Sequence, residues 1–297
     1  MSLLNLSVPD AVSEIKNGIH SVSFARPKHF DIYKIFDCGQ TFTLLPCDDG
    51  ISGVIGSSFY KFVQNDDSVT VYGCTIDEYY GKIAPYLSLY VDYEAVNCDI
   101  ASRFPKNGVI EDAMRVSDGI RILNQPLWET LCAFIISQNN NIPRIRKLIF
   151  AISDAYGDGI QCFDGVKRYR FPSADRLLEC GVEGLRELKT GFRAAYLIDA
   201  AEKWQGGLLD GFDALDYESA KSRLLSIKGV GEKVANCVLL FAGKHYEAFP
   251  IDVWMKKVID KYYGGELCVE ELGKYAGIAQ QYLFYYERYI ISQVGKE

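Results

Sequence analysis

A chain of 297 residues, 48% apolar and 24% charged, is ordinary for a soluble globular protein and long enough for two domains with substantial cores. No apolar run approaches the roughly 18 to 20 residues of a membrane span. The net charge of −7 argues against a broadly basic nucleic-acid binder.

That charge is uneven: residues 1–125 carry −6 and residues 126–297 carry −1, so the second part has room for a local basic face. The first ten residues have no basic n-region and no sustained apolar stretch. A secretory leader is therefore not expected, and the protein is expected to be cytoplasmic and nucleoid-associated. From about residue 18 to 95 the texture is strand-like, with alternating runs at 51–55, 59–63 and 69–72 and a turn at Asn65-Asp66-Asp67. Helices near 76–86 and 95–102 are expected to cover one face of that sheet. From Pro126 onward the period becomes helical, with Pro126 and Pro143 suited to first helical turns. Further helices are predicted near 173–180, 192–205, 216–227, 231–242, 252–263 and 275–291. The change of period over 105–125 separates an antiparallel-sheet domain with covering helices, 1–124, from an all-α domain, 125–297, in an α+β protein.

Nine cysteines, at 38, 47, 74, 98, 132, 162, 180, 237 and 268, are odd in number and form no C-x-x-C. They read as reduced and mostly buried. Only Cys268 follows the predicted helix at 252–263, too few thiols there for a four-cysteine iron-sulfur cluster.

The densest chemistry lies around Lys228-Gly229-Val230-Gly231. Two glycines flanking one valine allow a tight turn between two helices, with Leu224, Leu225 and Ile227 packing before it and Val234, Val238 and Leu239 after it. Backbone N–H groups at such a turn, and at the helix start near Gly231, favour an anion such as a phosphate. Lys233 falls in the first turn of the second helix, where the macrodipole disfavours a further positive charge, and a neutral amine there is competent for Schiff-base chemistry. Cys237 shares its helix face at i+4. Nineteen positions on, Asp252 precedes an apolar-periodic stretch and suits an N-cap. Taken alone, Lys233 also fits a solvated helix lysine, and a glycine hairpin also occurs in proteins that only bind DNA.

Residues 225–237 together with Pro250-Ile251-Asp252-Val253 resemble the helix-hairpin-helix, Gly-Pro-Asp motif of base-excision DNA glycosylases, and more narrowly the 8-oxoguanine DNA glycosylase family. The likeness covers nearly the whole chain and is densest over 125–290. It implies a bifunctional enzyme that removes 8-oxoguanine opposite cytosine from duplex DNA. Lys233 would attack C1′, Asp252 would stabilise positive charge on the sugar, and the resulting imine would permit β-elimination.

The resemblance assigns further residues. The stretch 134–144 is similar to the family's asparagine-rich helix end, with Asn139 filling the hole left by the extruded base. Arg144 and Arg193 would read the opposite cytosine, whose O2 and N3 accept from arginine donors. Phe192 would wedge the duplex, and Gly229 and Gly231 would present the hairpin to the backbone. Gln280 would bond the Watson–Crick edge of the flipped purine, Phe284 would stack on it, and Cys237 would press on its other face. Gly39 would offer a backbone carbonyl to the proton that 8-oxoguanine carries at N7 and guanine lacks.

Two positions depart from the family pattern: Trp254 stands where a histidine is common, and Phe192 where a tyrosine is. The resemblance implies no redox cofactor, no catalytic metal and no iron-sulfur cluster; a sodium or potassium ion on the backbone carbonyls of Ile227 and Val230 would bridge to phosphate. A monomer is expected, with no membrane partner. The alternatives are a glycosylase of the same superfamily for another oxidised or alkylated base, and a non-catalytic DNA-binding protein.

Overall fold

A computed structural model describes residues 7–105 and 108–294. The first six residues, on which part of the leader reading rests, lie outside the described residues. Six strands, β1 (Ala11–Lys16), β2 (Ile19–Ala25), β3 (Leu44–Cys47), β4 (Gly50–Ile55), β5 (Ser58–Gln64) and β6 (Ser68–Tyr72), form one sheet in the order β1-β2-β6-β5-β4-β3. Every adjacent pair is antiparallel. In β6 the period-2 pattern is plain: Val69 and Val71 are buried, while Ser68, Thr70 and Tyr72 are less so.

The covering layer is α1 (Ile32–Asp37), capped by Asp31, and the segment α2 (Ile76–Glu78), a π-helical stretch Tyr79–Ile83 and α3 (Ala84–Tyr86). Ile32, Ile35, Phe36, Tyr79 and Ile83 share one core with the sheet residues Val22, Phe24, Tyr60 and Phe62. A Thr75–Glu78 capping box starts the second segment.

The helix expected near 95–102 exists as α4 (Tyr93–Arg103), but it does not cover the sheet. Its buried residues, Tyr93, Val96 and Ile100, belong to the larger helical core, as do Ile110 and Ala113 of α5 (Val109–Val116). The reason is positional: α5 packs on the C-terminal helix α13 (Ala276–Val294), and Ser117 donates to the Tyr282 carbonyl at 3.1 Å.

Between the two cores, residues 120–126 run without regular structure and are held by buried polar side chains. Gln40 donates to Arg121 O (2.9 Å) and accepts from Leu123 N (2.8 Å); Arg121 donates to Ser88 O and Val91 O at 3.1 and 2.6 Å. The helical part continues with α6 (Leu127–Ser137), α7 (Ile142–Tyr156), α8 (Ala174–Glu187), α9 (Arg193–Gln205), α10 (Tyr217–Leu225), α11 (Glu232–Phe241) and α12 (Val253–Tyr263). A two-stranded ribbon, β7 (Gly159–Ile160) and β8 (Arg168–Tyr169), interrupts it and lays Phe163 against Phe59 of the sheet, ring centroids 5.1 Å apart. No described helix is long and apolar enough to cross a membrane.

At this seam Glu129 on α6 carries a carboxyl enclosed near Val54 and Phe171. Burial, the dominant cause, pushes its pKa up to about 7 against the opposing pull of the Gly56 N–H, Lys82 and Arg170. The unfolded chain ionises this group near 4.5, so its favourable contribution is complete below that pH and is lost as pH rises through 7. Glu129→Gln is therefore expected to raise stability at pH 8 by on the order of 3 kcal/mol and to change nothing below pH 4.5. Thermal denaturation of both proteins at the two pH values checks it.

Candidate active site

The hairpin occupies residues 226–231 between α10 and α11. Val230 N donates to Ile227 O at 3.0 Å to close the turn, and Lys228 N donates to the Asp199 carboxylate at 2.7 Å. Leu224, Ile227, Val230 and Val234 are buried beneath it, whereas Leu225, expected in the core, is exposed. Gly229 sits at φ +79°, and a Cβ there would lie 2.2 Å from the Tyr196 ring. Gly231 is the N-cap of α11 with no side-chain cap, so the first-turn N–H groups are left for an outside acceptor.

Gly229→Ala must both adopt a left-handed backbone and displace an aromatic ring. It is expected to cost about 2–4 kcal/mol and to weaken duplex binding. Thermal melts and fluorescence anisotropy check this.

Lys233, one residue into α11, is partly buried. Its Nζ lies 3.3 Å from Ser137 Oγ and 5.1 Å from the centre of the Phe134 ring, both on α6. Asp252 is the N-cap of α12, and its carboxylate accepts from Trp254 N and Met255 N, each at 2.9 Å. The carboxylate that the resemblance assigns to the sugar is thus also the cap of α12. Cys237, one helical turn beyond Lys233, ties the pair together. Burial above all pushes its thiol pKa up, the Lys233 charge opposes that, and the Asp252 charge adds to it. Amine, thiol and carboxylate therefore share one neighbourhood, with the thiol held neutral.

The residues assigned to the base pocket come together from both ends of the chain. Gly39, at φ +86°, faces Phe284 so closely that a Cβ would touch its ring at 3.4 Å. Gln281 Nε2 donates to Cys38 O at 2.6 Å and Arg288 donates to Asp37 O at 3.0 Å, fastening α13 to the turn that carries Gly39. Gln280, on the same helix, is 4% exposed, and its Oε1 is a buried acceptor with no partner. Such an atom costs about 1–3 kcal/mol until a donor reaches it.

The residues assigned to the opposite strand cluster at the α6–α7 turn and the start of α9. Asn139 is exposed at φ +47°, and Asn141 caps α7 by accepting from Arg144 N at 3.0 Å. Arg193 is 4% exposed and donates to Gln138 O at 3.0 Å, Asn139 O at 3.1 Å and Thr190 O at 3.2 Å. Burial first, and then the facing Arg144 charge, lower its pKa. Phe192 is 47% exposed, and its ring meets Tyr196 edge-on at 5.6 Å, the same tyrosine that supports Gly229.

Several contributors were not legible from the sequence. Asp199, Tyr196, Gln281 and Arg288 act through contacts made by distant segments, and no motif marks them. Ser137 lies inside the asparagine-rich stretch, but its contact with Lys233 spans 96 residues.

Known proteins resemble the chain over both of its parts. Residues 23–131 match the 8-oxoguanine DNA glycosylase N-terminal domain, and residues 132–267 match the HhH-GPD superfamily of base excision DNA repair proteins. The chain is 30% identical over 277 residues to the N-glycosylase/DNA lyase OGG1 of Arabidopsis thaliana, covering 84% of this chain and 75% of that protein. It is 37% identical over 159 residues to the N-glycosylase/DNA lyase of Saccharomyces cerevisiae, a match spanning 49% of this chain and 42% of the yeast protein. A solved structure of Clostridium acetobutylicum 8-oxoguanine glycosylase/lyase, in complex with dsDNA containing cytosine opposite 8-oxoG, superimposes with a TM-score of 0.87 at 31% identity. That match covers 96% of this chain and 100% of the other.

A sheet domain joined to a helical domain, with a lysine one residue into the second helix of a glycine hairpin and an aspartate N-cap beside it, defines a base-excision DNA glycosylase of the lyase class. The chain belongs to the 8-oxoguanine DNA glycosylase family.

Proposed function

We propose that the protein excises 8-oxoguanine opposite cytosine and then cuts the strand through a Lys233 Schiff base. The observation that carries this reading is the grouping of Lys233, Cys237 and Asp252 beside a hairpin whose helix end has no side-chain cap. The neutral amine attacks C1′, the base leaves with the glycosidic electron pair, and the Asp252 carboxylate offsets positive charge at the sugar. Ring opening gives an imine to Nζ. Loss of a C2′ proton then expels the 3′ phosphate by β-elimination.

The buried Gln280 Oε1 suits the N–H donors on the Watson–Crick edge of a flipped guanine-type base. Phe284 lies against Gly39, which keeps the residue assigned to stacking next to the residue whose carbonyl would accept from the lesion's N7–H. Gln280→Ala is expected to slow excision of 8-oxoguanine about 10- to 100-fold while leaving cleavage of a preformed abasic site within about twofold. Equal loss of both activities would count against the pocket.

Arg193 already holds the Gln138 and Asn139 carbonyls, so it shapes the loop that would enter the duplex, and Arg144 is the freer of the two readers. Arg144→Ala is accordingly expected to erode the preference for cytosine by about tenfold with a smaller effect on overall duplex affinity. Excision opposite all four bases measures it.

The Ile227 and Val230 carbonyls are neutral hard oxygens suited to an alkali cation. Ile227 O keeps a second lone pair after accepting from Val230 N, which supports a cation bridging hairpin to phosphate. No redox cofactor enters the scheme, and we place the protein in the cytoplasm as a monomer on DNA.

Borohydride reduction of the protein with an 8-oxoguanine·cytosine duplex tests the whole reading. A covalent adduct is expected with the native chain; its absence would leave a DNA-binding protein without this chemistry.

A further inference from the structure

Ser137 has no role in the scheme above, yet its hydroxyl lies within hydrogen-bond distance of the reacting nitrogen. It is the last residue of α6, and its hydroxyl donates to Phe134 O at 2.8 Å. With its own proton committed there, the oxygen presents lone pairs to Lys233 Nζ, 3.3 Å away. Phe134 offers its ring face to the same nitrogen at 5.1 Å. That ring is itself fixed, stacked on Phe241 at 5.4 Å and met edge-on by Phe42 at 5.8 Å. The final turn of α6 therefore cradles the amine with one acceptor and one π face, both on a helix whose core residues are fully packed.

A lysine side chain on a four-carbon stem samples many rotamers when nothing holds its end. Reaction at C1′ requires Nζ at one place, and geometric restraint of a reacting group is a large part of what an active site supplies. We propose that Ser137 is a positioning residue that holds Lys233 Nζ against the floor of the site. It accepts from the amine and does not deprotonate it. The proposal rests on Lys233 being the nucleophile. The competing account is that the hydroxyl only finishes α6, since the same group bonds the Phe134 carbonyl.

The test follows imine formation under single-turnover conditions, with the full-length protein on a duplex carrying a preformed abasic site, trapped by borohydride. Duplex Kd and the thermal midpoint are measured alongside. Ser137→Ala is expected to slow trapping at saturating duplex about five- to twentyfold, with Kd changed less than about twofold. Ser137→Thr keeps a hydroxyl able to bond a carbonyl one turn back and is expected to trap within about twofold of the native rate. Native-rate trapping by Ser137→Ala overturns the proposal. So does a slowing that follows Kd or the thermal midpoint, or one that a folded Ser137→Thr fails to restore. A native protein that gives no adduct removes the nucleophile reading itself; native trapping with an unaffected Ser137→Ala removes only the role of Ser137.

Discussion

Lys233→Gln is expected to lose all borohydride-trappable adduct and to slow base excision by about three orders of magnitude or more, roughly 4 kcal/mol of transition-state stabilisation. Glutamine keeps most of the stem, suits a helix and places an amide near Ser137, but an amide nitrogen does not add to C1′ to give an imine. The structural cost is small by comparison. One hydrogen bond to Ser137 Oγ and one contact with the Phe134 ring together contribute about 1–2 kcal/mol. Duplex affinity should stay within a few-fold, because the proposed grip runs through Gly229, Gly231 and first-turn N–H groups and not through this amine. Single-turnover excision, trapping and anisotropy on one preparation separate these outcomes. Undiminished trapping would assign the adduct to another amine and end the mechanism.

Residues close in sequence, or repeated at a fixed period, were legible before any coordinates. The alternation in β4, β5 and β6, the helix pair around Gly229 and Gly231, and the N-cap at Asp252 are all local features, and each appears where the pattern placed it. Less local features were not. Strands β1 and β3 carry little alternation: five of the six residues of β1 are exposed, and β3 is four residues long. Helix α4 joined the helical core although it follows the sheet in sequence, because α5 and the short 3-10 segment Val269–Tyr275 supply the surface that it faces, and that segment is more than 150 residues away.

The site divides in the same way. The hairpin, Lys233 and Asp252 follow from spacing and capping, whereas the pocket partners Gly39 and Phe284, 245 positions apart, came from family likeness alone. Arg193 shows the limit most clearly. Its type suggests a reader of bases, but its burial and three carbonyl acceptors make it first a support for the Asn139 turn.

Asp252 offers the second large effect, and two substitutions divide its roles. Its carboxylate accepts from Trp254 N and Met255 N, and asparagine can make the same two bonds while carrying no charge. Asp252→Asn is thus expected to melt within about 0.5 kcal/mol of the native protein, and Asp252→Ala to lose about 1 kcal/mol with the cap. If the charge at the sugar is what matters, both should slow excision alike, by about 100-fold, ~3 kcal/mol. The stability series would then read native, Asn, Ala, while the activity series would read native, then Asn and Ala together.

Cys237 supplies an independent witness. Asp252 is one of the charges holding its thiol pKa up, so removing that charge should lower the pKa and hasten alkylation in any opened state, although burial, the larger cause, remains. Recovery of excision by Asp252→Asn to near the native rate would show that the carboxylate serves α12 only as a cap. The positive charge developing at C1′ would then have to be met by the duplex phosphates themselves.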